Sequence, residues 1–333
     1  MDLSRFPRVA LGHLPTPLER MDRLRALLGP DCPTLYVKRD DCTGLATGGN
    51  KTRKLEFLMG EALAHGAGAV VTFGAIQSNH ARQTAAAAAK LGLYCDLILV
   101  DMVEGRDADY RRSGNILFDK LLGARIHGVA GGEAASKLEE VLAEHKRAGR
   151  KAYVVPMGGS NAAGSIGYVA AFGEIISQAR LLDVTVDAIV LATSSGGTQA
   201  GLMAGAALAG SDTRIMGVNV YKRNVADVAG TVHALALETM QVLGGTLDGV
   251  TSRLHVIDGY MGEGYGIPSD EMLEAVLLAA QTEGLLLDPV YSGKAMAGLI
   301  GHIRRGKLTR DQTVVFLHTG GTAALSAYAE AFA

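Results

Sequence analysis

The 333-residue chain contains no tryptophan, and phenylalanine and tyrosine bring its aromatic content to only 5%. There is accordingly no basic stripe with interleaved rings. A net charge of −2 gives no electrostatic footprint for nucleic acid or an anionic membrane. Cysteine is scarce as well. Cys32, Cys42 and Cys95 form neither a C-x-x-C pair nor a zinc spacing, which excludes a disulfide framework, and no metal site is expected. They read as reduced thiols of a cytoplasmic protein. Long apolar runs are also missing. Lys90 and Asp96 interrupt the longest candidate, so no bilayer span is expected, and the stretch Met1–Phe6 lacks a signal-peptide core. With 48% hydrophobic and 20% charged residues, the composition is that of a globular protein, with length for roughly two domains.

Glycine, by contrast, is abundant at 43 residues and falls mostly at the ends of apolar runs. Short apolar runs predict strands at Leu35–Arg39, Ala69–Gly74, Asp96–Val100, Ala152–Pro156, Ala188–Ala192, Ile215–Val220, Leu254–Ile257 and Val314–Leu317. Helical periodicity predicts helices at Lys51–Ala64, Ala81–Leu91, Ser113–Leu122, Ala134–Ala148, Gly164–Leu181, Gly201–Leu208, Asp270–Thr282 and Gly293–Arg304. Strands alternating with helices imply an α/β fold whose parallel sheets are covered on both faces.

The stretch Thr47-Gly48-Gly49-Asn50-Lys51 leads a lysine into the first turn of a helix whose buried face is Leu55, Leu58, Met59, Ala62 and Leu63. Free N–H groups and the positive dipole end destabilise an ammonium there. The neutral amine is the form that attacks a carbonyl to make a Schiff base. Three glycine- or hydroxyl-rich segments follow other strands, where ligands of open α/β sheets gather. Gln77-Ser78-Asn79-His80 precedes a helix, carries cap residues, and suits a carboxylate or phosphate. Ser195-Gly196-Gly197-Thr198 is a turn able to cradle a monophosphate with backbone amides, but it has no P-loop lysine and no dinucleotide fingerprint. Thr319, after the last strand, offers a neutral hydroxyl. Tyr260, Tyr265 and Tyr291 lie beside glycines and are placed to line a cavity. A lysine nucleophile, a monophosphate cradle, a carboxylate site and neutral hydroxyls together describe a site for pyridoxal 5'-phosphate.

Seven segments carry a resemblance: Lys38–Asp41, Gly48–Lys51, Gly74–His80, Gly158–Asn161, Gly264–Pro268, Leu287–Tyr291 and His318–Gly321. Over nearly its whole length the chain resembles the 1-aminocyclopropane-1-carboxylate deaminase/D-cysteine desulfhydrase family of pyridoxal-phosphate enzymes. The run Asp41–Thr47 is similar to the L-cysteate sulfo-lyase branch. The resemblance implies fold type II, like the tryptophan synthase β subunit, with the cofactor between two domains. Residues 50–160 would form the small domain, and residues 1–49 plus 161–333 the large one. It further implies that Lys51 carries the cofactor, Asn79 meets its phenolic oxygen, Ser195, Gly196, Gly197 and Thr198 hold its phosphate, and Thr319 faces its pyridine nitrogen. Ser78 and the amides around it would take the substrate carboxylate, with Gln77, Asn79 and His80 beside them. Tyr265 and Tyr291 would line the reacting face. Tyr260 falls outside the seven segments and is a substrate-contact candidate from its glycine-rich setting alone. Members of that family often carry alanine where this chain has Gly196. A homodimer is implied too.

The expected reaction is β-elimination from a sulfur-containing amino acid, L-cysteate or D-cysteine, giving pyruvate and ammonia. A sulfonate needs a pairing cation, for which Lys222 and Arg223 are the candidates. Ring opening of 1-aminocyclopropane-1-carboxylate to 2-oxobutanoate is an alternative. A catalytically silent relative that binds a phosphorylated ligand is another. Lys294 and Lys54 are rival candidates for the reactive lysine.

Overall fold

The computed structural model describes residues 2–103, 106, 108–221, 224–246 and 249–333. Short strands with β-branched, two-sided apolar character assemble two sheets. The larger has six strands in the order β1-β2-β10-β7-β8-β9. These are β1 (Leu18–Arg20), β2 (Thr34–Arg39), β7 (Ala188–Thr193), β8 (Arg214–Asn219), β9 (Leu254–Ile257) and β10 (Thr313–His318). Only β1 runs antiparallel, pairing Leu18 with Lys38. The central register sets Val314 between Leu35 and Ala188. The smaller sheet is wholly parallel, in the order β5-β4-β3-β6. Its strands are β3 (Ala69–Ala75), β4 (Tyr94–Val100), β5 (Arg125–Val129) and β6 (Ala152–Val154).

Parallel pairs need crossovers, and helices supply them on both faces. Around the larger sheet lie α1 (Asp22–Leu28), α6 (Ala162–Leu181), α7 (Gly197–Leu208), α8 (Val225–Leu243), α9 (Asp270–Glu283) and α10 (Ser292–Arg304). One core, with Val218, Leu299 and Phe316, fills one face of this sheet. Another, with Phe172, Ile189 and Val315, fills the other. Around the smaller sheet lie α2 (Lys51–Ala64), α3 (Asn79–Leu91), α4 (Gly114–Leu121) and α5 (Ala134–Arg147). Leu55, Leu58, Val70 and Leu97 share its main core.

Helix α2 is the keystone. It packs on α3 on one side and α6 on the other, so almost its whole circumference is buried. Its charged residues are buried with it. Arg53 reaches Asp40 (2.9 Å) and Glu174 (2.8 Å), while Lys38 reaches Glu174 (2.5 Å) and the Tyr168 hydroxyl donates to Asp40 (2.5 Å). This network ties α2, two residues beyond Lys51, to β2 and α6 of the larger sheet.

Candidate functional site

The cleft opens at the carboxyl ends of β3, β7 and β10, where an open α/β sheet binds ligands. Its hollow, counting the part open to solvent, measures about 900 Å³, and Lys51, Ser78, Asn79, His80, Ser195, Gly196, Thr198, Tyr265, Tyr291 and Thr319 all line it. No carboxylate lines it among the described residues.

Lys51 opens α2, and its Nζ donates to Asn50 Oδ1 at 3.3 Å. Burial pushes its pKa down to about 8, with Asp288 pulling weakly the other way. Loss of hydration therefore supplies the depression that the sequence assigned to the helix terminus. The turn before it is strained: Ala46 and Thr47 have φ of 43° and 70°, which a β-branched residue rarely adopts. Arg82 of α3 holds that turn by donating to the carbonyls of Ala46 and of Gly48, the latter at 3.0 Å. The same guanidinium reaches Asn79 Oδ1 (3.4 Å) and Asn115 Oδ1 (2.8 Å). No sequence signal set Arg82 apart from the helix around it.

Ser78 is the N-cap of α3, its Oγ accepting from the Ala81 amide at 3.1 Å. The turn into α7 groups backbone amides and hydroxyls at a helix N-terminus. Gly196 sits at φ 84°, in the left-handed region where alanine is strained, so this backbone calls for glycine. Ser195 Oγ lies 2.8 Å from Ser160 Oγ, and Ser160 Oγ also accepts from the Gly197 amide at 3.2 Å. Asn50 Nδ2 donates to Thr198 Oγ1 at 3.0 Å, joining the two halves of the cleft. Behind the turn stands Lys54, fully buried, donating only to the Gly158 carbonyl and Ser160 Oγ, both at 3.0 Å. Burial, then the charge of Lys51, drive its pKa well below that of an ordinary lysine. A buried cation without a carboxylate, beside backbone amides and hydroxyls at a helix N-terminus, fits a bound phosphate. Neither Lys54's place here nor that of Ser160 was legible in the sequence.

Tyr265 and Tyr291 face each other with their hydroxyls hydrogen-bonded, and Tyr221 meets Tyr265 edge-on at 5.5 Å. Burial raises both phenol pKa values, so both are neutral at pH 7. Asp288 aims the second ring by accepting from the amides of Val290 (2.8 Å) and Tyr291 (2.7 Å).

Two expected contacts fall elsewhere. The Gln77 amide is spent on the Tyr110 and Ser113 carbonyls (2.6 and 2.9 Å) and the Asn115 amide (2.9 Å). It therefore fixes the entry to α4 and does not line the cleft. Tyr260 also lies off the cleft, its hydroxyl bonded to Arg305 and its ring under that guanidinium. Of the rival lysines, Lys294 points away, donating to the Met261 and Gly264 carbonyls at 2.6 and 2.9 Å. Lys222 and Arg223 lie outside the described residues.

The comparisons with known proteins agree with this geometry. Residues 9–320 match a family model described as a pyridoxal-phosphate dependent enzyme. The chain is 44% identical over 328 residues to a D-cysteine desulfhydrase of Salmonella typhi, covering 98% of this chain and 97% of that one. A D-cysteine desulfhydrase of Salmonella newport matches equally, at 44% over 328 residues. A crystal structure of an ACC deaminase homologue superposes with a TM-score of 0.87 at 38% identity, over 99% of this chain and 96% of that one. The fold is therefore type II, and the cofactor is pyridoxal 5'-phosphate. The chain belongs to the family of pyridoxal-phosphate-dependent enzymes.

Proposed function

We propose that the chain is a β-eliminating carbon–sulfur lyase that converts D-cysteine and water to pyruvate, ammonia and sulfide. The observation that carries the reading is Lys51: a half-buried amine whose pKa desolvation lowers to about 8, lining the same cleft as neutral Tyr265 and Tyr291, with no carboxylate in the described lining. The extent and identity of the match to D-cysteine desulfhydrases support it.

In this reading Lys51 would hold the cofactor, and its amine would move the substrate's α-proton. When bound, the cofactor supplies the conjugated ring that stores the charge left at the α-carbon. Ser195, Gly196, Gly197 and Thr198 hold the phosphate, with Lys54 as its counter-charge. Asn79, oriented by Arg82, meets the phenolic oxygen. Thr319 would offer the pyridine nitrogen a neutral hydroxyl in place of a carboxylate. Ser78, with the amides that open α3, takes the substrate carboxylate. Tyr265 and Tyr291 close the reacting face and keep water from it. Residues 50–160 act as the smaller domain against 1–49 plus 161–333, and the active unit is a cytoplasmic homodimer, checked by sedimentation.

Two predictions follow from the lysines. At pH 7 about one Lys51 side chain in ten is neutral in the apoprotein, against about one in three thousand at an ordinary lysine pKa. Cofactor uptake by the apoprotein therefore accelerates as pH rises from 6 to 8 and then levels off, which stopped-flow absorbance reads. Lys54→Met removes the amine behind the phosphate turn, so it weakens cofactor binding by about thirtyfold or more. Cofactor titration followed by absorbance checks it.

L-cysteate is the weaker candidate substrate, because Lys51 is the one cation lining the cleft among the described residues. A fixed sulfonate buried there finds no second cation among the described residues. The purified enzyme is assayed with D- and L-cysteine, L-cysteate, 3-chloro-D-alanine and 1-aminocyclopropane-1-carboxylate. Sulfide and pyruvate from D-cysteine in preference to the rest support the proposal. Predominant 2-oxobutanoate from the cyclopropane substrate contradicts it. A colourless protein that gains no visible band with added cofactor returns the silent-relative alternative.

A further inference from the structure

His80 stands in the first turn of α3 and borders the cleft, yet it is only 4% exposed. Its Nε2 lies 2.8 Å from Thr72 Oγ1 on β3. Thr72 gives its single hydrogen to the Val155 carbonyl, also at 2.8 Å. A hydroxyl whose hydrogen is committed can only accept from a further partner. The imidazole must therefore carry its hydrogen on Nε2, which leaves a lone pair on Nδ1. That Nδ1 is buried and has no hydrogen-bond partner among the described residues. The ring also stays neutral, because burial depresses its pKa well below the ordinary histidine value and the charges of Lys51 and Lys54 depress it further.

A relay Val155–Thr72–His80 thus leaves an unpartnered acceptor, and never a donor, on a residue that lines the cleft. Such a group stays unpaired until a ligand brings it a hydrogen. We propose that the Nδ1 lone pair of His80 is a specificity determinant that accepts a hydrogen bond from the substrate's β-substituent. It thereby selects a thiol, which carries a hydrogen to give, over a sulfonate or halide, which does not. A sulfonate oxygen placed there meets lone pair against lone pair. This inference rests on the desulfhydrase reading and deepens it, since it assigns the choice of leaving group to one ring nitrogen.

The test compares kcat/KM for D-cysteine and for 3-chloro-D-alanine in the holoenzyme, both read as pyruvate. The two substrates share every group except the β-substituent, so their ratio cancels differences in folded fraction and cofactor content. In His80→Leu the ratio of D-cysteine to chloroalanine is expected to fall about tenfold, the effect of one lost hydrogen bond. In His80→Asn, whose Oδ1 stands near the position of Nδ1, it recovers to within about threefold of wild type. An unchanged ratio in His80→Leu, or equal losses on both substrates, overturns the proposal and leaves His80 a packing residue. A second readout needs no turnover. Nitrogen-15 NMR of the histidines is expected to show His80 neutral, with its hydrogen on Nε2, between pH 6 and 8, and to lose that bias in Thr72→Val. A charged ring or a hydrogen on Nδ1 overturns the proposal. Failure of the desulfhydrase reading shows separately, as wild-type enzyme that makes pyruvate from chloroalanine but releases no sulfide from D-cysteine.

Discussion

Lys51→Ala lowers turnover of D-cysteine by roughly four orders of magnitude or more, the scale expected when one side chain serves as both covalent anchor and proton carrier. Neither of the two described rivals can replace it. Lys54 is held behind the phosphate turn by Gly158 and Ser160, and Lys294 by the carbonyls of the 261–264 loop. Lys51→Arg fails to the same extent, since a guanidinium stays protonated. Both variants should still bind cofactor reversibly, because the phosphate turn and Lys54 are untouched. Pyruvate release and cofactor fluorescence after gel filtration check the two halves of this expectation. Activity of Lys51→Ala within a hundredfold of wild type would remove Lys51 from the chemistry.

Arg53→Met destabilises the protein by about 3–5 kcal/mol, because it leaves Asp40 without its bidentate partner in a buried site. Asp40 is fully buried, and only the Tyr168 and Thr16 hydroxyls remain beside it (2.5 and 2.8 Å). Equilibrium urea unfolding measures the loss. A change below about 1 kcal/mol would show the network to be ornamental. The same network sets an acid limit. Burial alone would raise the Glu174 pKa, but hydrogen bonds and charge from Arg53 and Lys38 bring it down to about 2. A carboxylate depressed in the folded state stabilises it fully above its unfolded value of 4.5. That contribution is lost as pH falls from there toward 2. Glu174→Gln should flatten the stability profile across this window.

How much of this could be read from the chain varied with the physics of each part. The alternation of apolar strands and amphipathic helices placed most of both sheets, and α2 begins at Lys51 and ends at Ala64 as its periodicity requires. Strands β1 and β5 escaped. Leu18-Glu19-Arg20 is a short polar edge, and Arg125–Val129 carries an arginine, a histidine and a glycine, which depress strand propensity. Both sit at sheet edges, where one neighbour suffices. The short α1 escaped as well. Helix α8 buries Val228, Val232, Leu235, Ala236 and Met240 at helical spacing, but Gly230 and its β-branched residues mask the pattern.

The glycine-rich turns and Lys51 were legible because their chemistry needs particular residue types at particular places. Gln77 and Tyr260 were misplaced for the opposite reason. Proximity to a motif does not say which way a side chain points, and both spend their polar atoms on neighbouring segments. Arg82, Lys54 and Ser160 act through contacts between residues far apart in sequence, such as Lys54 with Gly158. Only the assembled fold brings those contacts together.

If the amine of residue 51 holds the cofactor, borohydride reduction of the holoenzyme followed by peptide mapping gives a single pyridoxyl adduct, on Lys51. An adduct confined to Lys54, to Lys294 or to any peptide lacking Lys51 would contradict it.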